Sequence, residues 1–294
     1  VGIGVGVGLE IGDEAARING EGWQAAVRPT LADTDGDELL ISTPVGKNWF
    51  YDEWMRGQSG SDGYISWRAP SSANPNPNIQ RAYQKAKERL PERVFMQEWD
   101  AQFVEDGAIF RNVYTLSRLA PQPPEDGHVY VIGVDWGRTE DATVFCVLDV
   151  HERKQVHLEV LYDVDFATQR ERLIALARRY NNAHCVVETN SIGSPQFEEL
   201  KRSGLVSVSG FDTDNARKAA IIDELQLAFE NETITLLDNE MQKSELVAFS
   251  AVRLPSGLVR YSAPSGKHDD TVMALAIALY ACNSPSAAEL FAFI

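Results

Sequence analysis

Long apolar runs are missing from the sequence. No stretch of about 18 such residues occurs, so none of its 294 residues form a candidate membrane span. Cysteine is scarce: Cys146, Cys185 and Cys282 lie far apart and match no metal-ligand spacing. The first two sit in apolar, strand-like runs, where a free cysteine is usually a small core residue, and a reducing, cytoplasmic setting fits. The opening VGIGVGVGLEIG has no basic region before it and runs straight into acidic residues, which excludes a signal peptide. It also lacks a starting Met, so a fragment or a processed piece is expected. Basic charge is in deficit, with 27 Lys and Arg against 43 Asp and Glu, a formal net charge of −16. That balance argues against a broad basic face gripping nucleic acid by counterion release. Any such role needs local cations, bound metal ions or a partner protein. The bland reading of the acidity is solubility. Finally, no G-x-x-x-x-G-K-[ST] phosphate loop is present, so ATP binding is expected to be absent or very weak.

What is there reads as an ordinary folded chain, 44% hydrophobic and 24% charged. An apolar run leads to Asp13-Glu14, 39-LLIST-43 is a second short strand, and Trp49-Phe50-Tyr51 starts a helix. The stretch 71-SSANPNPN-78 is a loop, followed by helical pattern from Ile79 to Asp100 with Pro91 opening a new helix. The connector 120-APQPPEDG-127 is the best domain boundary. Beyond it, strands are predicted at 129–135, 142–149, 155–162, 184–188 and 205–210. Helices are predicted at 167–180, near 195–203, around Ile221–Phe229 and from Asp269-Asp270 to residue 281. A hairpin spans 249–263. Three meandering strands, then strands alternating with helices, give an α/β fold: a mixed sheet with helices on both faces.

The chemistry concentrates in carboxylates at element ends. Asp135 closes the apolar strand 129-VYVIGVDWG-137, Glu188 closes 184-HCVVE-188, and Asp269 and Asp270 open the last, all-apolar helix. A lone charge at the end of a buried strand must be hydrated, paired or metal-bound. If these termini gather at one edge, like charges that close need compensation, and divalent cations with oxygen ligands supply it. Two such ions can activate water and stabilise the leaving oxygen of a phosphodiester. Each residue has a plainer reading. Asp269 or Asp270 could cap the helix, Glu188 could pair with a surface Arg, and Asp141 could be a turn residue. His268 beside the acidic pair could ligate or shuttle protons, or be solvated.

With 133-GVDWG-137, Asp141, 187-VETNSIG-193 and 267-KHDDTVMALAIAL-279 in view, residues 125–282 resemble the nuclease domain of tailed-phage large terminase subunits, an RNase H-like fold. The resemblance implies a five-stranded mixed sheet and a two-metal endonuclease that cuts concatemeric viral DNA during packaging, using two Mg²⁺ or Mn²⁺ ions. Carried over, Asp135 is the bridging ligand, Glu188 the second and Asp270, or its neighbour Asp269, the third. Relatives often carry another acid where this chain has Met273, which makes Asp141 the candidate fourth ligand. In 9-LEIGDEAARINGEGW-23, Asp13 and Glu14 resemble the Walker B end of the terminase ATPase, and 41-ISTPVGKNWFYDEW-54 resembles its coupling motif. The stretch 95-FMQEWDAQFVEDGAIF-110 resembles the run from motor to nuclease. The organisation implied is residues 1–56 as the back part of an ATPase domain, 57–124 as a linker or lid region and 125–294 as the nuclease. The small terminase subunit, the portal protein and double-stranded DNA are the implied partners, in the host bacterial cytoplasm.

Phosphate contacts need local cations. Arg253 and Arg260 flank the hairpin turn, Lys267 precedes the acidic pair, Arg217-Lys218 opens a helix, and Arg138 follows Asp135 closely. The hairpin arginines are the best candidates for DNA contact. Two competing readings stay open: a structure-selective nuclease of the Holliday-junction resolvase type, and a non-catalytic module that docks on a portal through its acidic surface.

Overall fold

Parallel pairing of two short strands opens the chain in the computed structural model, which describes residues 6–60, 63–104, 109–137, 142–190, 192–253, 259–263 and 268–284. Of 252, 253, 259 and 260 it describes the backbone alone. Two compact units divide the molecule: Val1–Gly107 with Val252–Arg260, and Ala108–Ala251 with Tyr261–Ile294.

In the first unit, β1 (Leu9–Asp13) pairs in parallel with β2 (Asp37–Ile41), across a connection that includes the single-turn α1 (Gly20–Gly22). Packing is close at Gly12, where a Cβ would sit 2.9 Å from Leu40 Cδ2 and 3.0 Å from Trp23 Cη2. Arg28 ties the connection down, 2.7 Å from Glu38 and 3.1 Å from Glu53. Three helices follow: α2 (Trp49–Gln58), α3 (Pro77–Arg89) and α4 (Glu92–Glu98). Asn48 caps α2 by accepting from the Phe50 and Tyr51 N–H groups, and Asn76 caps α3 ahead of its N1 proline. Phe103 packs edge-on against Tyr51 and beside Trp54.

The second unit begins with the one-turn α5 (Val113–Leu116) and β3 (Ser117–Leu119). Then come β4 (Tyr130–Asp135), β5 (Thr143–Asp149), β6 (Lys154–Leu161), α6 (Phe166–Arg179), β7 (His184–Glu188), α7 (Gly193–Ser203) and β8 (Val208–Phe211). The chain continues through α8 (Asn215–Glu230), β9 (Leu236–Leu237), α9 (Glu240–Ala248), β10 (Ser250–Arg253), β11 (Val259–Ser262) and α10 (Asp270–Asn283). The main sheet has the order β6-β5-β4-β7-β8, antiparallel on the β4–β5–β6 side and parallel on the β4–β7–β8 side. This is the mixed five-stranded, RNase H-like sheet expected.

Alternation along β4 sends Tyr130, Ile132 and Val134 to one face, where Leu173, Leu176 and Tyr180 of the α6 region and Leu200 of α7 complete a core. The other face receives α10, whose residues Thr271–Leu279 are all buried. Contact there is backbone to backbone: a Cβ on Gly133 would lie 2.2 Å from the Ala274 carbonyl oxygen and 2.4 Å from the Ala278 nitrogen.

Some elements differ from the sequence reading. The strand expected at 205–210 runs from Val208 to Phe211, because Gly204 ends α7 in a left-handed turn and Leu205 is left exposed. Helix α9 and the short β3–β9 parallel pair were not anticipated. The buried positions of α9 are Gln242, Lys243, Glu245 and Leu246, so it carries no apolar stripe. The β10–β11 pair is the hairpin expected, with its turn outside the described residues.

Candidate functional site

Register alone brings the first two carboxylates together. β4 and β7 are parallel neighbours with Val134 opposite Val187, so the next residues, Asp135 and Glu188, stand side by side at the strand ends. Glu188 is the side chain that acts most strongly on the Asp135 carboxyl. Helix α10 adds the acidic pair. Asp270 lies one turn before Ala274, about 6 Å along the helix, and Asp135 lies two residues beyond Gly133, about 7 Å along the strand. The close approach at Gly133 therefore leaves the two acids level.

The electrostatics carry the same message. Burial pushes the Asp135 carboxyl well above the usual carboxylate range, and Glu188, Asp270 and Asp269 push it further. Asp270 accepts a hydrogen bond from the Ala142 N–H (3.1 Å) and lies 3.9 Å from His268 Nδ1. Asp269 occupies the N-cap position of α10, yet its side chain makes no capping hydrogen bond. It faces Lys218 Nζ at 3.2 Å instead, so the capping explanation fails for it. Among the described residues Glu188 pairs with no arginine: Asn190 Nδ2 donates to its Oε1 at 3.1 Å. Asn190 also donates to the Thr213 carbonyl (3.0 Å) and accepts from the Thr213 N–H (3.2 Å), tying the β7 terminus to the segment after β8. Glu188, Asp269 and Asp270 thus all act on the Asp135 carboxyl, and the four supply oxygen donors of the kind Mg²⁺ or Mn²⁺ prefers.

Two residues with no assigned role prove close by. Glu245 of α9, buried, accepts from the Thr271 N–H (2.9 Å) and hydroxyl at the start of α10. Burial raises its carboxyl above the ordinary range, with Asp269 adding to the shift. Asn190 stands inside the quoted motif 187-VETNSIG-193, and its position two residues after a strand-ending acid was the available signal. Glu245 gave none, since it reaches the site from a distant helix. Asp141, Arg138 and Lys267 lie outside the described residues. Arg253 and Arg260 have their backbones on β10 and β11, with side chains outside the described set. In the first unit, Asp13 ends β1 beside Ile41, its Oδ1 accepts the Glu14 N–H (3.0 Å), and Ser42 Oγ approaches Glu14 Oε2 at 3.4 Å.

Residues 132–281 match the family described as the terminase RNaseH-like domain. The chain belongs to the phage large terminase family. The large terminase subunit of Thermus virus P23-45 is 30% identical over 289 residues, covering 90% of this chain and 60% of that protein. This chain therefore spans less than two thirds of that relative's length. The crystal structure of the large terminase nuclease from phage G20c with bound magnesium is 28% identical, with a TM-score of 0.56 over 59% of this chain and 97% of that one. The large terminase of a further thermophilic bacteriophage, 13% identical, superposes with a TM-score of 0.59 over 95% of this chain and 69% of its own. That likeness is one of fold, and it extends over the first unit.

Proposed function

We propose that the second unit is a divalent-metal-dependent endodeoxyribonuclease that cuts concatemeric viral DNA during genome packaging. The observation that carries the reading is the parallel β4–β7 register that sets Asp135 beside Glu188, with Asp270 and Asp269 acting on the same carboxyl. Asp135, Glu188 and Asp270 would hold two Mg²⁺ or Mn²⁺ ions, with Asp269 alongside and Asp141 the candidate fourth ligand. Such ions, when bound, supply an activated water and stabilise the leaving oxygen of a phosphodiester. The magnesium-bound terminase nuclease of phage G20c supports the metal assignment by likeness.

The chain's own residues prepare that chemistry. Asn190 fixes the Glu188 carboxylate, the Ala142 N–H orients Asp270, and Lys218 balances charge at Asp269. Trp136, the residue after Asp135, is buried edge-on against Phe145 and anchors the strand end. Arg253, Arg260, Lys267 and Lys218 are the proposed DNA contacts. The proposed organisation is residues 1–56 as the back part of an ATPase domain, with Asp13 and Glu14 as its Walker B-like end, 57–124 as linker and 125–294 as nuclease. Double-stranded DNA, the small terminase subunit and the portal protein are the proposed partners, in the host bacterial cytoplasm.

The test is cleavage of supercoiled plasmid with Mn²⁺, Mg²⁺ or EDTA by the parent chain and by Asp135→Asn. The reading predicts nicking and linearisation that require metal and drop at least about 100-fold in the variant, in line with loss of a principal electrostatic contribution. Cleavage by Asp135→Asn at the parent rate sinks the assignment.

A further inference from the structure

We propose that His128, Asp149 and His151 form a second divalent-cation site, of the zinc class, at the opposite end of the sheet from the carboxylates. One ligand atom from each of the three falls within 4.8 Å of the others. Two imidazoles and a carboxylate are a borderline donor set that suits Zn²⁺, Co²⁺ or Ni²⁺ better than the all-oxygen set around Asp135. In β4–β5 pairing, Tyr130 faces Asp149 while Asp135 faces Val144. Five residues of strand, ~17 Å, therefore separate the two ends. Neither the nuclease reading nor its metal ions bear on this site.

The surroundings resemble the outer shell of a metal centre. Asp149 is buried at the end of β5, and its Oδ1 accepts the His151 N–H (2.8 Å) and the Glu152 N–H (3.2 Å). Those bonds orient the carboxylate and leave Oδ2 for His128 Nδ1, 2.5 Å away. The other His128 nitrogen, Nε2, lies 3.7 Å from Glu125 Oε2, beyond hydrogen-bond distance but near enough to favour a proton there. His151, with its Nδ1 4.0 Å from Asp149 Oδ1 and its side chain 40% exposed, stands on the solvent side and leaves an entry path. An ion with bonds of about 2.0–2.2 Å would replace the proton now shared by His128 and Asp149 and would spread those two atoms. The rings, 25% exposed for His128 and 40% for His151, border the surface and leave room for that movement. Bound there, it would clip the entry of β4 to the β5–β6 turn.

Zn²⁺ titration by calorimetry tests this in the full chain carrying Asp135→Asn and Glu188→Gln, which removes the carboxylate centre. The expected result is one saturable Zn²⁺ equivalent that raises the melting temperature. Adding His151→Ala, or separately His128→Ala, should weaken that binding at least tenfold. Both positions border the surface, and unchanged metal-free melting curves verify that the variants fold. No Zn²⁺ equivalent in the carboxylate variant, or one indifferent to both histidine substitutions, overturns the site and leaves a proton-held His128–Asp149 pair. Plasmid cleavage by the parent is untouched by either outcome, so the two readings fail separately.

Discussion

Asn190 illustrates how one side chain can set the behaviour of another. It holds Glu188 with one amide hydrogen and the Thr213 backbone with the rest of its amide. Residues that orient a metal ligand typically cost about 10–100-fold in metal affinity when removed. Asn190→Ala should therefore shift the Mn²⁺ concentration for half-maximal cleavage upward by that order, with the fold intact; an unmoved metal curve would remove Asn190 from the site. His184 offers a test away from the chemistry. Its ring nitrogens meet Ser207 Oγ and Ser209 Oγ, both at 2.8 Å, and burial lowers its pKa. The unfolded chain then takes up a proton at higher pH than the folded one, so this stability is complete above the unfolded histidine pKa, about 6.5. It falls away as pH drops from there toward the folded value. Melting temperatures taken between pH 7.5 and 5 should decline in the parent and decline less in His184→Gln. Equal slopes would contradict the assignment.

At the scale of elements, the site depends on how closely α10 lies on β4. Gly133 has no room for a Cβ, and the atoms in the way are backbone. Overpacking of this kind costs about 1–3 kcal/mol and sometimes more. Gly133→Ala should lower unfolding free energy by at least that much in a denaturant titration, and should slow cleavage by displacing Asp270 from Asp135. A fully stable variant would refute the close-contact account.

The same elements show what could be read beforehand. β4, β5, β7 and α10 were legible because continuous apolar runs ended abruptly on Asp135, Glu188 and Asp269-Asp270. Their convergence stayed conditional on the termini gathering at one edge, a condition the parallel β4–β7 register meets for Asp135 and Glu188. Helix α9 was illegible because its buried positions include the polar Gln242, Lys243 and Glu245, and only the fold reveals that Glu245 is held by Thr271, 26 residues on. The β3–β9 pair is too short to leave a periodic signal. Lys218 was read as a phosphate contact from its place at a helix start, and only the fold reveals Asp269 as its neighbour.

On the scale of the whole molecule, two features follow from composition and from the first unit's small sheet. Under the proposed function, a chain with a net charge of −16 would hold DNA through a few cations or through metal ions, since its average field repels phosphate. The β1–β2 sheet turns Leu9, Ile11, Leu39 and Ile41 outward together, each between 39% and 58% exposed. Four aligned aliphatic side chains on one face of a two-stranded sheet form the kind of patch that another layer ordinarily covers. Ile11→Thr with Ile41→Thr should reduce binding of a hydrophobic dye severalfold while leaving plasmid cleavage unchanged. Dye binding equal to the parent's would show that this face is not the exposed apolar surface it is taken to be.

The central claim is that Asp135, Glu188 and Asp270 gather to hold divalent cations. A crystal soaked in Mn²⁺ tests it most directly, through anomalous difference density. Two peaks are expected among these three carboxylates, with Asp135 between them, and both should be lost in Asp135→Asn. A soaked crystal with no peak at these residues would contradict it.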